Sequence, residues 1–362
     1  MPSKSEPFSF AEILKSIDVG QNLTSELAQR GLMSILEGDV DDKDLESFLV
    51  SLNKKGPTHQ EVTGFVKAMR ESCVRLHCPE ETIDLVGAGG SQMGRQAALN
   101  VSTIASFVAT GAGAKVCKHG NKRASSTSGS FDLLDELGIS ATLTPAQVES
   151  CVNEVGLGFA FARTFHPAMK YAGPIRAKLR IPTIFNTLGP LSHPAFLKRQ
   201  VVGVPSAETG KMMAKVLQST GTELGMVVTG HNGLDELSTT GPNLAHVITQ
   251  EKIETTEIHP NDLGMTTTNP KEIYGGDSKD NAQIAIQVLN GENGPKSDII
   301  VLNAAAGLVV AGIAENLVDG IERARSSIDS GAAKSKLQEL QTYTQDLVPK
   351  CCLLYTSDAA DE

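Results

Sequence analysis

The chain has 362 residues, 40% hydrophobic and 20% charged, the composition of a folded globular protein with one large or two smaller domains. A formal charge of −10, 4% aromatics and no Trp argue against a general binder of nucleic acid, anionic membrane or stacked single strands. No stretch reaches the ~20 apolar residues of a membrane span, the N-terminus MPSKSEPFSF lacks an apolar signal core, and the six cysteines show neither CxxC nor zinc spacing, so a reduced cytoplasmic protein is expected.

The first eighty residues predict helices only. Residues 23–36 carry apolar positions at Leu27, Leu32 and Ile35 behind Thr24, an N-cap residue, and 44–52 and 59–74 are further amphipathic segments divided by Gly56-Pro57. The pattern changes at Ile83. Residues 83–86 are a buried-strand run that ends in the glycine loop Gly87-Ala88-Gly89-Gly90. A helix then follows with its stripe at Val101, Ile104, Ala105, Val108 and Ala109. Next come a strand over 114–117, a polar loop over 118–130 and a helix over 131–137 closed by Gly138. Thr144-Pro145-Ala146-Gln147 is a capping box with Pro at the first helical position. Strand 158–162, helix 168–179, strand 200–204, helix 208–219 and strand 225–229 continue the alternation. Residues 245–258 are rich in β-formers, and 281 to about 347 are mainly helical. The fold class expected is α/β: a small N-terminal helical domain over 1–80, joined by part of 165–190, and a larger α/β domain over 81–350 with a mostly parallel central sheet. Residues 351–362 have no pattern of their own and are expected to be a disordered or non-native tail.

Charge is unevenly placed. Between Asp84 and Asp132 there is no acidic residue in 47 positions, where random placement would give roughly five. The same window holds Arg95, Lys115, Lys118, Lys122 and Arg123 among many Gly, Ser, Thr and Asn. These residues suit a phosphate site: glycines let N–H groups approach an anion, and a helix beginning at Asn100, with Ser102 and Thr103 in its first turn, offers unpaired N–H groups at a positive dipole end. The glycine loop is neither a Walker A loop nor a dinucleotide fingerprint. Two loops at the carboxyl ends of strands would face one crevice.

Asp235 and Glu236, in the stretch GHNGLDELS, are either Mg²⁺ ligands beside a phosphate or a solvent-facing acidic turn. Arg176 either grips a carboxylate in a bidentate fork or bonds a helix end. His119 and His166 are either acid–base groups or polar contacts.

Taken together, KHGNKRASSTSGSFDLL at 118–134, NVST at 100–103, IFNTLGPLSHP at 184–194 and GLDELS at 233–238 make the chain resemble the anthranilate phosphoribosyltransferases over roughly residues 10–345. The resemblance implies transfer of phosphoribosyl from phosphoribosyl pyrophosphate to the amine of anthranilate in tryptophan biosynthesis, with Mg²⁺, by a homodimer paired through its helical domain and without nucleic-acid or membrane partners. Carried over by motif, Gly87, Gly89 and Gly90 would wrap the pyrophosphate. Asn100, Ser102, Thr103, Lys118, Gly120, Asn121, Ser126 and Ser130 would hold the donor. Ser102, Asp235 and Glu236 would bind magnesium, and Arg176 with Asn121 and His119 would contact anthranilate, so Lys118, Arg176 and His119 are the expected catalytic set. The first loop departs from the family's usual GTGGD: it reads GAGGS, with Ser91 in the aspartate position and a longer stretch, 91–99, before Asn100. That departure motivates an alternative, a related phosphoribosyltransferase or nucleoside phosphorylase with another acceptor.

Overall fold

The computed structural model describes residues 9–89, 98–122 and 128–348. Gly90, Ser91, Arg95, Arg123, Ser126 and the tail 351–362 lie outside them.

Four helices open the chain: α1 (Phe10–Asp18), α2 (Ser25–Glu37), α3 (Asp42–Lys55) and α4 (His59–Glu71). The caps explain the boundaries. Thr24 and Asp41 accept N–H groups at the starts of α2 and α3, and Thr58 forms a capping box with Glu61 at the start of α4. Glu61 is fully buried, and its carboxylate also accepts the Leu23 N–H at 2.9 Å and Lys55 Nζ at 2.9 Å. One side chain therefore ties the α1–α2 turn, the end of α3 and the start of α4.

Strands and helices then alternate: β1 (Ile83–Gly87), α5 (Val101–Gly111), β2 (Val116–Gly120), α6 (Ser130–Glu136), α7 (Pro145–Glu154), β3 (Leu157–Phe161), the short α8 (Ala162–Phe165), α9 (Gly173–Leu179), α10 (Ile184–Leu191), β4 (Arg199–Gly203), α11 (Ala207–Ser219) and β5 (Leu224–Thr229). The antiparallel pair β6 (Asn243–Thr249) and β7 (Ile253–Ile258) follows, then α12 (Ser278–Leu289), α13 (Pro295–Ala311), α14 (Leu317–Asp329) and α15 (Ala332–Leu347). Among the described residues they form a seven-stranded sheet in the order β3-β2-β1-β4-β5-β6-β7, with parallel pairs from β3 through β5. The expected α/β class with a mostly parallel sheet is the class observed.

Alternate strand residues feed two cores, as a sheet buried on both faces requires. Val201, Met226 and Val228 join α5 and α13–α15 on one face. Val202, Val204 and Val227 join α11 on the other, and that cluster runs on without a break into the α1–α4 bundle, α9 and α10.

Three local expectations need correction. The second strand is Val116–Gly120, not 114–117, because parallel pairing with β3 sets Lys118 opposite Phe159 and His119 opposite Ala160. Lys118 and His119 therefore stand on a buried strand and not in the polar loop. The helix expected over 168–179 is broken into a 3₁₀ turn at Pro167–Lys170 and α9, since Pro174 has no N–H to continue a helix and sits in the first turn of a new one. Residues 72–74, expected to be helical, lie past the end of α4 at Glu71. Three helices also went unforeseen, α1, α8 and α10; the last carries Gly189 and Pro190 in its last turn.

Candidate active site

The chain leaves β1 toward β2 and β3 on one side, then returns through β4 to build the other side of the sheet. The order reverses between β1 and β4, and in open α/β sheets the ligand crevice lies outside the carboxyl ends of the strands at that point. A cavity of about 1350 Å³ opens there, lined from β1 by Gly87, from β2 by Lys118 and Gly120, and from the turn after β5 by Asp235 and Glu236. The neighbouring strands β2, β1 and β4 all end in glycine. A Cβ at Gly203 would stand 1.7 Å from the Asp235 carbonyl oxygen, and one at Gly87 2.8 Å from Asp235 Oδ2. Only glycine lets the carboxylate turn come this close.

Of the candidate residues inferred from sequence that fall among the described residues, Gly87, Gly89, Asn100, Ser102, Thr103, Lys118, His119, Gly120, Asn121, Ser130, Arg176, Asp235 and Glu236 line this one cavity, and His166 does not. Gly90 and Ser126 lie outside the described residues.

Asp235 and Glu236 are not a solvated acidic turn. Asp235 Oδ2 accepts the Gly89 N–H at 2.7 Å, and Glu236 Oε1 accepts the Ser102 N–H at 3.1 Å in the first turn of α5. The two carboxylates thus hold N–H groups of the glycine loop and of the helix start, the donors an anion seeks. Burial, together with the neighbouring charge of Asp235, pushes the Glu236 carboxyl up to about 8, against the pull of the Ser102 N–H and Lys118. Asn100 sits just before α5, but its side chain does not cap the helix. Its Oδ1 instead accepts from Ser128 Oγ at 2.9 Å and from Asn281 Nδ2 at 2.9 Å, stitching the two loops to the start of α12.

Lys118 is buried, and its Nζ donates to the Leu85 carbonyl at 2.6 Å. Burial lowers its pKa, while Asp84, Glu236 and Asp235 act to raise it. Asp84, fully buried on β1, accepts the His119 N–H at 3.2 Å through Oδ1, and Oδ2 has no hydrogen bond among the described residues. Burial pushes its carboxyl up to about 7 despite Lys118. This ammonium is thus held among three carboxylates at the floor of the cavity.

Behind Lys118 three imidazoles cluster. His119 lies 5.2 Å from His166 and 5.7 Å from His193, centroid to centroid. His193 Nδ1 accepts the Ala195 N–H at 3.1 Å and Nε2 faces the Cys117 carbonyl at 2.9 Å, which places its proton on Nε2. Burial holds His119 well below the ordinary imidazole value, His166 at about 4 and His193 at about 3. All three are neutral near pH 7 and so are not cations; His193 is held by its two hydrogen bonds, whereas both ring nitrogens of His166 and Nε2 of His119 have no hydrogen-bond partner among the described residues.

Arg176 projects from α9 with its guanidinium 5.2 Å from the centroid of Phe185, and it has no acidic partner among the described residues. A free, half-buried guanidinium beside an aromatic ring suits a planar carboxylate.

Comparison with known proteins agrees with this geometry. Residues 79–334 match the a/b domain of a glycosyl transferase family, and residues 11–73 match that family's helical bundle domain. The anthranilate phosphoribosyltransferase of Rubrobacter xylanophilus is 43% identical over 328 residues, 90% of this chain and 95% of that protein. The chain belongs to the anthranilate phosphoribosyltransferase family. The crystal structure of the anthranilate phosphoribosyltransferase from Thermus thermophilus matches with a TM-score of 0.86 at 36% identity, over 92% of this chain and 99% of that one. The Saccharomyces cerevisiae anthranilate phosphoribosyltransferase in complex with PRPP and Mg matches with 0.84 at 29% identity, over 93% and 98%.

Three neighbours of these cavity residues escaped the sequence reading. Asp84 gave one signal, a lone carboxylate inside an apolar strand run. His193 lies in the quoted 184–194 stretch without a pattern marking it. Asn281 gave no local signal, because its contact with Asn100 spans most of the α/β chain.

Proposed function

We infer that the chain transfers the phosphoribosyl group of phosphoribosyl pyrophosphate to the amine of anthranilate, giving N-(5-phosphoribosyl)anthranilate and pyrophosphate, a step of tryptophan biosynthesis. The observation that carries this reading is the convergence, in one cavity at the strand switch point, of loop and helix-start N–H groups, a buried lysine, two carboxylates and a guanidinium with no acidic partner among the described residues. A volume of about 1350 Å³ accommodates both substrates together.

The residue roles follow from charge. Breaking the bond between ribose C1 and the pyrophosphate oxygen leaves a cationic sugar and an anionic leaving group. The Gly89 and Ser102 N–H groups and the Lys118 ammonium would stabilise the leaving group, with Gly87 and Gly90 giving it room to approach the backbone. A bound pyrophosphate would compete with Asp235 and Glu236 for those N–H groups. Asn100, Thr103, Gly120, Asn121, Ser126 and Ser130 would hold the rest of the donor. Arg176 would fix the acceptor through its carboxylate, beside Asn121 and the neutral His119. The anthranilate amine is a competent nucleophile once positioned, so no strong base is required.

Mg²⁺ suits the donor set. Ser102, Asp235 and Glu236 offer oxygen ligands only, and the raised Glu236 carboxyl marks a buried negative pair that a divalent cation would relieve. Among the described residues no group of three or more His, Cys, Asp or Glu side chains is assembled to hold a metal, which fits an ion shared with substrate phosphates. When bound, it would neutralise charge on the leaving group.

The helical layer over 1–80, with part of 165–190, would pair two copies into a homodimer. It carries exposed apolar residues in Val19, Leu27, Val50 and Tyr171. No helix among the described residues is long and apolar enough to cross a membrane.

The test is the loss of anthranilate fluorescence on adding phosphoribosyl pyrophosphate and Mg²⁺. Steady consumption that stops on chelation is expected; no consumption at millimolar donor would refute the assignment. The alternative, another acceptor, predicts turnover with a neutral base in the same assay.

A further inference from the structure

The helix that carries Arg176 ends in a strained way. α9 stops at Leu179, and Arg180 takes φ 53° and ψ 22°, with its N–H donating to the Arg176 carbonyl at 3.3 Å. This left-handed position normally belongs to glycine, because a Cβ crowds the following carbonyl. Among the described residues only Phe196 and Asn232 share a positive φ without being glycine. Residues held in such strained conformations cluster at active sites and ligand clamps. Yet the Arg180 guanidinium makes no ion pair or hydrogen bond among the described residues. It lines the cavity instead, together with Arg176, Ala177, Ile181 and Pro182.

The surrounding sequence reinforces the point. From Val155 to Ala207 there is no Asp or Glu in 53 positions, a second acid-free window that carries seven cations. Two of those facing away from the cavity have carboxylate partners: Lys178 with Glu46, and Lys198 with Glu80 and Glu223. The three that line it, Arg163, Arg176 and Arg180, have none among the described residues. The other two outside the cavity have no carboxylate partner among the described residues: Lys170 lies over the Tyr171 ring and Arg199 donates to the Val310 and Ala311 carbonyls. Three arginines without acidic partners therefore stand on one wall of the cavity and make that wall locally positive on a chain of net charge −10.

We propose that Arg180 is a specificity-determining residue for the acceptor: one turn beyond Arg176, it draws an aromatic carboxylate to the cavity and discriminates against acceptors that lack the negative charge. This rests on the transferase reading above. Arg180 is exposed, so its effect is long-range and screened by salt, acting on capture and not on the chemical step.

The experiment compares the native enzyme with R180G and R180K in melting and in steady-state kinetics, at low salt and at about 0.5 M NaCl. R180G removes both the charge and the strained Cβ. Its melting temperature should therefore hold or rise by about 1–2 °C. KM for anthranilate should rise about three- to tenfold, with kcat and KM for phosphoribosyl pyrophosphate within about twofold. The difference from native should shrink in high salt, and R180K should recover most of the native KM. An R180G enzyme with native KM for anthranilate overturns the proposal, as does a selective rise in KM for the donor, a fall in kcat alone, or a drop in melting temperature that marks the side chain as structural. If the native enzyme neither turns over nor binds anthranilate, the transferase reading fails first and takes this proposal with it.

Discussion

Lys118 shows how much one position on a strand controls. Parallel pairing with β3 turns a residue that looks like part of a polar loop into a buried ammonium among Asp84, Asp235 and Glu236. Replacing it with Met should cost about 2–4 kcal/mol of transition-state stabilisation, a fall of roughly 30- to 1000-fold in kcat, as for loss of other preorganised donors to a developing oxyanion. A K118M enzyme with native turnover would remove Lys118 from the proposed mechanism. Glu236 makes a separate prediction. Its carboxyl rises from 4.5 to about 8 in the folded protein, so the native state retains a proton that the unfolded chain releases. The stability this gives is full below about pH 4.5 and is lost as pH rises through about 8. Without metal or donor, E236Q should melt progressively higher than the native protein between about pH 5 and pH 9; a constant gap across that range would show that Glu236 does not carry the shift.

Among the elements, the sharpest dependence lies where α3, α4 and the α1–α2 turn meet at Glu61. Its buried carboxylate accepts the N–H groups of Leu23 and Thr58, the Thr58 hydroxyl and the Lys55 ammonium. E61A removes a cap and leaves a mostly buried cation without its partner. Urea unfolding should show a loss of about 3–5 kcal/mol, with E61Q milder because it retains some acceptor capacity. A loss below about 1 kcal/mol would mean the bundle finds other partners for these groups. The Thr144–Gln147 capping box and the apolar stripe of α5 were legible in advance, since both are local patterns satisfied within one turn or one helix face. The break between Lys170 and Gly173 and the shifted bounds of β2 were less legible, because the first depends on where a missing N–H falls and the second on pairing with a strand about forty residues away.

At the scale of the whole molecule, an electronegative chain places Arg163, Arg176 and Arg180 around one cavity, and its helical layer exposes Val19, Leu27, Val50 and Tyr171, the face proposed above to pair two copies. Light scattering should give twice the chain mass of 38.2 kDa, and a monomer at micromolar concentration would set the dimer aside. The order of the chain alone carries the strand–helix alternation, the acid-free window between Asp84 and Asp132, and the motifs that mark the family. What folding added is convergence. Asp235 and Glu236 meet the Gly89 and Ser102 N–H groups across well over a hundred residues, and Asn281 reaches Asn100 across 181. Such meetings arise because parallel strands align their carboxyl ends and the reversal between β1 and β4 opens one crevice for all the loops above it. Local periodicity records which face of an element is buried; it holds no information about which distant loop will stand opposite, and that choice belongs to the packed sheet.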